Sequence, residues 1–171
     1  TSDGVSPRGI PGYGNGFVCL DSDEHDERGN VTEDHDLRIR MQEKRMKKHD
    51  RLLEAVLEPE IIGDREDYNI AVVSWGSPFP TVKEAVEMVK EKTGRTDITL
   101  FEYKQIFPVH PETESWLRKA EKVIVIEANT TGQFARLITQ ETGIKITEKI
   151  LKFNGLQFSI EELTNDIIKR I

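Results

Sequence analysis

Val123-Ile124-Val125-Ile126-Glu127-Ala128-Asn129-Thr130-Thr131-Gly132-Gln133-Phe134-Ala135-Arg136-Leu137-Ile138 reads as a strand, a polar turn and a helix. Val123 to Ile126 is an unbroken β-branched run, the composition of a strand buried on both faces of a parallel sheet. Phe134, Leu137 and Ile138 then recur at helical spacing. The polar residues between them fall at the carboxyl end of a strand and the amino end of a helix, where open α/β sheets place their working surfaces.

The same alternation extends in both directions. Ile70 to Trp75 reads as a buried strand and Gly76-Ser77-Pro78-Phe79-Pro80 as a turn. Thr81 and Glu84 have capping-box spacing for a helix that carries Val82, Ala85, Val86 and Val89 on one face and stops at Gly94. Ile98 to Phe107 contains the next strand, ended by Pro108, and a short helix spans about Glu112 to Lys119. After the Gln133–Glu141 helix, a short strand is expected over Ile150–Phe153. Ser159 and Glu162 make a second capping-box pair, opening a helix that buries Ile160, Leu163, Ile167, Ile168 and Ile171. Such a series implies a mostly parallel sheet with right-handed crossovers, a three-layer α/β domain expected over 58–171.

Residues 1–57 differ in kind. The first 18 hold five glycines and two prolines, the composition of a loop or linker. Residues 1–36 carry nine acidic and two basic side chains, and residues 37–56 seven basic and three acidic ones. The expectation is a linker, an acidic surface loop and a basic helix from about Asp36 to about Leu57, ended by Pro59. Leu37, Met41, Leu52, Leu53 and Val56 can share its apolar stripe. The basic stretch has no interleaved aromatics and the chain is acidic overall, at −7, which argues against a nucleic-acid partner. No apolar run approaches the ~20 residues needed to span a bilayer. One cysteine, Cys19, excludes an intramolecular disulfide framework and suits a reducing, cytoplasmic setting. Abundant Lys, Glu and Arg fit a thermophile.

Several residues are candidates for function, each beside a structural alternative. Asn129, Thr130, Gly132 and Gln133 can bind an anion through free N–H groups at a helix start. They can equally form an inter-domain contact, or a capped turn with no ligand. Ser77 lacks the Gly-x-Ser-x-Gly elbow of a nucleophile, and neither turn has a Gly-x-Gly-x-x-Gly fingerprint. The Asp21, Asp23, Glu24, His25, Asp26 and Glu27 cluster fails the calcium-loop pattern, because Asp26 and Thr32 stand where Gly and Glu are required. His25, His35, His49 and His110 lack metal-ligand spacing. Trp75 and Trp116 are most simply core or interface residues. Arg8, held in a Pro/Gly-rich loop, can clamp a carboxylate or a backbone carbonyl, as an inter-domain clamp or toward substrate.

Four stretches carry a family resemblance. Glu127-Ala128-Asn129 with Gly132-Gln133 resembles the E-x-N-x-x-G-Q signature of the α subunit of 2-oxoacid:ferredoxin oxidoreductases. Gly4 to Gly12, His25 to Asn30 and Lys44 to Lys48 resemble that family in the same order. The resemblance is to the C-terminal half of the subunit and implies a domain similar to the transketolase C-terminal domain. It further implies that the whole enzyme decarboxylates a 2-oxoacid with thiamine diphosphate, Mg, iron–sulfur clusters and coenzyme A, passing electrons to ferredoxin. The partners implied are the N-terminal domain of the same subunit, a β subunit and γ/δ subunits. The rival resemblance is to another transketolase-type fragment, such as a 2-oxoacid dehydrogenase β subunit. The rival binding reading is a free-standing α/β domain for a phosphorylated ligand.

Motifs that such an enzyme needs lie elsewhere. No Tyr-Pro-Ile-Thr or Gly-Asp-Gly motif is present, and one cysteine cannot supply a cluster's four thiolates. The chain also opens at Thr1 in loop-like sequence. The expectation is therefore a piece of a subunit, with no catalytic, cofactor-binding or metal-binding residue of its own, inactive alone and architectural in the assembly.

Overall fold

The computed structural model describes residues 1–18 and 23–171, so Cys19 and Asp21 of the acidic cluster lie outside the described residues. The chain divides into two compact units, Thr1–Ala55 and Val56–Ile171.

In the first unit, helix α1 spans His35–Glu54 and opens on Asp34, whose carboxylate accepts from Leu37 N at 2.9 Å. It ends before the expected Leu57, and none of its residues is fully buried. Its amphipathic stripe is therefore only half covered within the unit. The loops are fastened to it by polar contacts instead. Asp3 pairs with Arg51 at 2.9 Å, Glu24 with Arg45 at 2.7 Å, and Lys44 donates to the Ser6 hydroxyl. Gly4 sits at φ +77 so close to the helix that a Cβ would lie 2.5 Å from the Lys44 carbonyl oxygen. The described part of the acidic loop is closed by Asp26, whose carboxylate accepts from Arg28 N and Asn30 N at 2.9 Å, with a bridge between His25 and Val31.

The second unit is a three-layer α/β domain. Strands β1 (Glu60–Ile62), β2 (Ile70–Trp75), β3 (Ile98–Tyr103), β4 (Lys122–Glu127) and β5 (Glu148–Leu151) form one sheet in the order β1-β3-β2-β4-β5. Every pairing is parallel except β1 with β3. Helices α2 (Phe79–Thr93), α3 (Thr113–Lys119) and α4 (Gln133–Thr142) fill the crossovers, and α5 (Ile160–Ile168) follows β5. Side chains alternate across the sheet. Ile70, Val72, Leu100, Ile124 and Ile126 point to α2 and α5, against Val82, Val86, Leu163 and Ile167. Ala71, Val73, Phe101 and Val125 point to the other face, with Trp116, Leu117, Phe134 and Ile138. Strand β2 is central and has no charged residue, as two-sided burial requires.

Four details depart from the sequence-based expectation. The three-residue antiparallel β1 was not foreseen, because it is too short to show a period. Helix α2 opens at Phe79 behind Pro78, with no side-chain cap, so Thr81 lies inside its first turn. Pro80, at the second helical position, is tolerated there because its missing N–H would be unpaired anyway. Strand β3 ends at Tyr103, before the expected Phe107, and β5 lies two residues earlier, at Glu148–Leu151. The Ser159–Glu162 capping box is present in full, and Gly94 and Gly143 end α2 and α4 in left-handed conformations.

Candidate functional site at the carboxyl edge of the sheet

The turn between β4 and α4 is built around one carboxylate. Glu127, the last residue of β4, is 1% exposed. Its Oε2 accepts from Phe134 N at 2.9 Å, Asn129 Nδ2 at 2.7 Å and Trp75 Nε1 at 3.3 Å. Its Oε1 accepts from Ala135 N at 3.0 Å. Backbone donors at the start of a helix attract negative charge, and here the protein supplies that charge itself. Asn129 completes the turn: its Oδ1 accepts from Thr131 N at 3.1 Å, Gly132 N at 2.7 Å and Gln133 N at 3.4 Å. Gly132 sits at φ +61, where a Cβ would lie 3.2 Å from Lys149 Cδ and 3.7 Å from Leu151 Cδ2. Thus Glu127, Asn129 and Gly132 each hold the strand-to-helix turn in place. The donors that an external anion would use are engaged by Glu127 and Asn129, and the Asn129 amide bonds Glu127 and the backbone of its own turn. Thr130 and the Gln133 side chain are exposed and remain open for contact.

A second buried acid lies at the same edge. Glu102, in β3, is 2% exposed and accepts a hydrogen bond from the Ser74 hydroxyl directly across the β2–β3 pairing. Burial pushes its carboxyl up to about 7, against the opposing pull of its hydrogen bonds from Ser74 and Gly76 N. Glu60, opposite it on β1, raises it further, although Glu60 is itself paired with Lys104 at 3.0 Å. Ser74 and Trp75 are consecutive in β2, so they reach Glu102 and Glu127 on opposite faces of the sheet. The two acids are therefore separated by the sheet and do not form the facing carboxylate pair used in acid–base catalysis. The sequence reading passed over Glu102; the available signal was a charged residue inside the apolar run Ile98–Tyr103.

The other candidates take structural places. Ser77 is exposed at the start of the β2–α2 turn. His110 stacks on Trp116 with ring centroids 4.9 Å apart, and its Nδ1 accepts from Glu112 N at 3.2 Å. Trp116 lies in the core, where its carbonyl accepts from the Tyr68 hydroxyl at 2.6 Å; burial pushes that phenol up to about 12. Arg8 is exposed in the first unit. Among the described residues no group of three or more His, Cys, Asp or Glu is placed to hold a metal ion. No described helix is long and apolar enough to cross a membrane.

Comparison with known proteins follows the sequence resemblance. No protein-family model matches the chain. The α subunit of 2-oxoacid:ferredoxin oxidoreductase 1 of Sulfurisphaera tokodaii is 33% identical over the whole of this chain, which covers 27% of that subunit. The 2-oxoglutarate synthase subunit KorA of Methanothermobacter thermautotrophicus is 28% identical over 98% of this chain and 44% of its own length. Among solved structures, 2-oxoglutarate:ferredoxin oxidoreductase from Magnetococcus marinus, determined with 2-oxoglutarate, coenzyme A and succinyl-CoA bound, matches 99% of this chain. The TM-score is 0.79 at 26% identity, and the match takes in 29% of that chain.

Proposed function

This chain belongs to the family of 2-oxoacid:ferredoxin oxidoreductase α subunits, and from that premise we propose that its share of the enzyme is architectural. It spans about a quarter of the first curated relative it matches, at 27%. The complete enzyme would oxidatively decarboxylate a 2-oxoacid, join the acyl group to coenzyme A and pass two electrons to ferredoxin. Thiamine diphosphate and iron–sulfur clusters, with Mg, would supply the decarboxylation and electron-transfer chemistry from parts of the assembly outside these 171 residues. The α/β unit would pack against the N-terminal domain of the same subunit and organise the β subunit and any γ/δ subunits around it.

The observation that carries this reading is the saturated turn after β4. Its signature residues hold the chain's own backbone, through the four hydrogen bonds to Glu127 and the three to Asn129 Oδ1. They are not arranged around an open ligand site. The test is direct. The 171-residue chain alone should neither reduce a viologen acceptor with 2-oxoglutarate or pyruvate nor bind thiamine diphosphate in a calorimeter. The subunit containing it, co-purified with its neighbours, should do both. Saturable thiamine diphosphate binding to the isolated chain would sink the architectural reading.

A further inference from the structure

On the side of β2, β4 and β5 the two edges of the parallel sheet differ in charge. At the amino edge, the segments that enter β2, β3, β4 and β5 carry Asp64, Arg65, Glu66, Asp67, Arg95, Asp97, Glu121 and Lys145. At the carboxyl edge, the turn that leaves β3 (104–112) carries Lys104 and Glu112, whereas the turns that leave β2, β4 and β5 (76–78, 128–132 and 152–159) carry a single charged side chain, Lys152. That one is neutralised by Glu162 at 2.5 Å and lies over the Phe158 ring at 5.6 Å. In a chain with 32% charged residues such a face is not a typical solvated surface.

The same edge exposes large apolar side chains. Phe153 is 68% exposed and Leu156 71%, both in the loop after β5. Between that loop and the β2–α2 turn is a crevice of about 440 Å³, whose lining includes Pro78, Ala128, Phe153, Leu156 and Phe158 together with Lys152. It opens beside β2 and β4, where the strand order reverses. Aromatic enrichment with loss of charge is the composition of the centre of a protein–protein interface, and exposed apolar patches of this kind mark such contacts.

We propose that the charge-poor part of the carboxyl edge, formed by the turns after β2, β4 and β5 with Phe153 and Leu156 at the crevice, is the face on which the rest of the same α subunit docks through an uncharged, apolar surface. This rests on the architectural reading above and names its contact. The length of the relatives argues for that occupant. This chain accounts for 27% of the Sulfurisphaera subunit and 29% of the Magnetococcus chain, so most of each such polypeptide lies outside the matched region. A permanent intra-chain contact is also where apolar, uncharged composition is most at home.

The test uses the full-length subunit in its assembled complex, carrying the photo-reactive residue p-benzoylphenylalanine in place of Leu156 and, separately, of Lys122 at the charged edge. Irradiation followed by peptide mass spectrometry identifies the neighbour. The expected result is a cross-link from position 156 to a peptide of the same polypeptide outside the region matched here, and none of that kind from position 122. A cross-link from 156 to a different subunit or to a second copy overturns the proposal, and so does no cross-link at all. Leu156→Asp supplies the second readout. In the 171-residue chain it should shift Tm by less than about 2 °C, as expected for an exposed site. In the full subunit it should raise hydrogen exchange across 152–158 several-fold; unchanged exchange there overturns the proposal. A complex that assembles and turns over a 2-oxoacid but gives no same-chain cross-link at 156 removes this inference and leaves the architectural reading standing.

Discussion

Replacing Glu127 by Ala tests the turn most severely, because one side chain serves both ends of it. In the native domain its two oxygens accept from Phe134 N, Ala135 N, Asn129 Nδ2 and Trp75 Nε1 at 2.7–3.3 Å. Phe134 and Ala135 are 1% and 0% exposed, so water cannot readily replace the carboxylate at those two amides. A buried donor left without a partner costs about 1–3 kcal/mol, and the lost packing adds to this. Relief of the carboxylate's own desolvation offsets part of it. Trp75 and Asn129 are only partly buried and can recover hydrogen bonds from water. The expected net loss is about 3–4 kcal/mol, a large share of the ~5–15 kcal/mol that holds a domain folded. Urea unfolding of the 171-residue chain, followed by circular dichroism, measures the loss, and hydrogen exchange should show it concentrated at the start of α4. Glu127→Gln should fall between, at about 1–3 kcal/mol, because its amide nitrogen turns a donor toward another donor. A Glu127→Ala variant within 1 kcal/mol of the parent, or a Gln variant indistinguishable from it, would refute the reasoning.

Three further outcomes are expected. The Glu102 carboxyl is raised from 4.5 to about 7, so the folded state holds its proton through a range where the unfolded chain has released it. Its contribution is therefore fully present below pH ~4.5 and is lost as pH rises through about 7. That loss is at most about 3 kcal/mol, and the difference between parent and Glu102→Gln stabilities should show it as a slope across that window; parallel curves would contradict the assignment. Gly132→Ala forces an alanine to φ +61 with its Cβ 3.2 Å from Lys149 Cδ. It should cost about 1–2 kcal/mol by urea unfolding, with a smaller loss for Gly143→Ala, where no atom lies within 4 Å. Ser159→Ala removes a complete capping box and should cost about 1 kcal/mol, whereas Thr81→Ala, inside the first turn of α2, should cost less than about 0.5 kcal/mol in thermal unfolding.

What could be read in the sequence follows from the length of each signal. The central strand Ile70–Trp75 and the faces of α2, α4 and α5 were legible because burial imposes a period over six or more residues. Strand β1 was not, since three residues carry no period and its pairing with β3 is set by tertiary contact. The Thr81–Glu84 spacing suggested a cap, but the helix starts at Phe79 with Pro80 in its first turn, so Thr81 is already inside it. At the site, the motif Glu127 to Gln133 was visible as a string while its meaning was not. Whether an Asn at a helix start faces a ligand, a neighbour or its own turn depends on where the preceding Glu points, and that is decided by the sheet. Glu102 was hidden for the same reason: its partner, Ser74, is 28 residues away in sequence and directly across in space.

Ser74 and Trp75 have a consequence beyond their two acids. Strand β2 could in principle slide by one residue against its neighbours, and apolar side chains on both faces would penalise the slip only weakly. The polar ends remove that freedom. A shift of one residue would set Trp75 opposite Glu102 in one direction and Val73 opposite it in the other, and either slip breaks both hydrogen bonds at once. The pair acts as an index mark at the centre of the sheet. The loops beyond it can vary in length and partner while the strands that present them stay in one alignment.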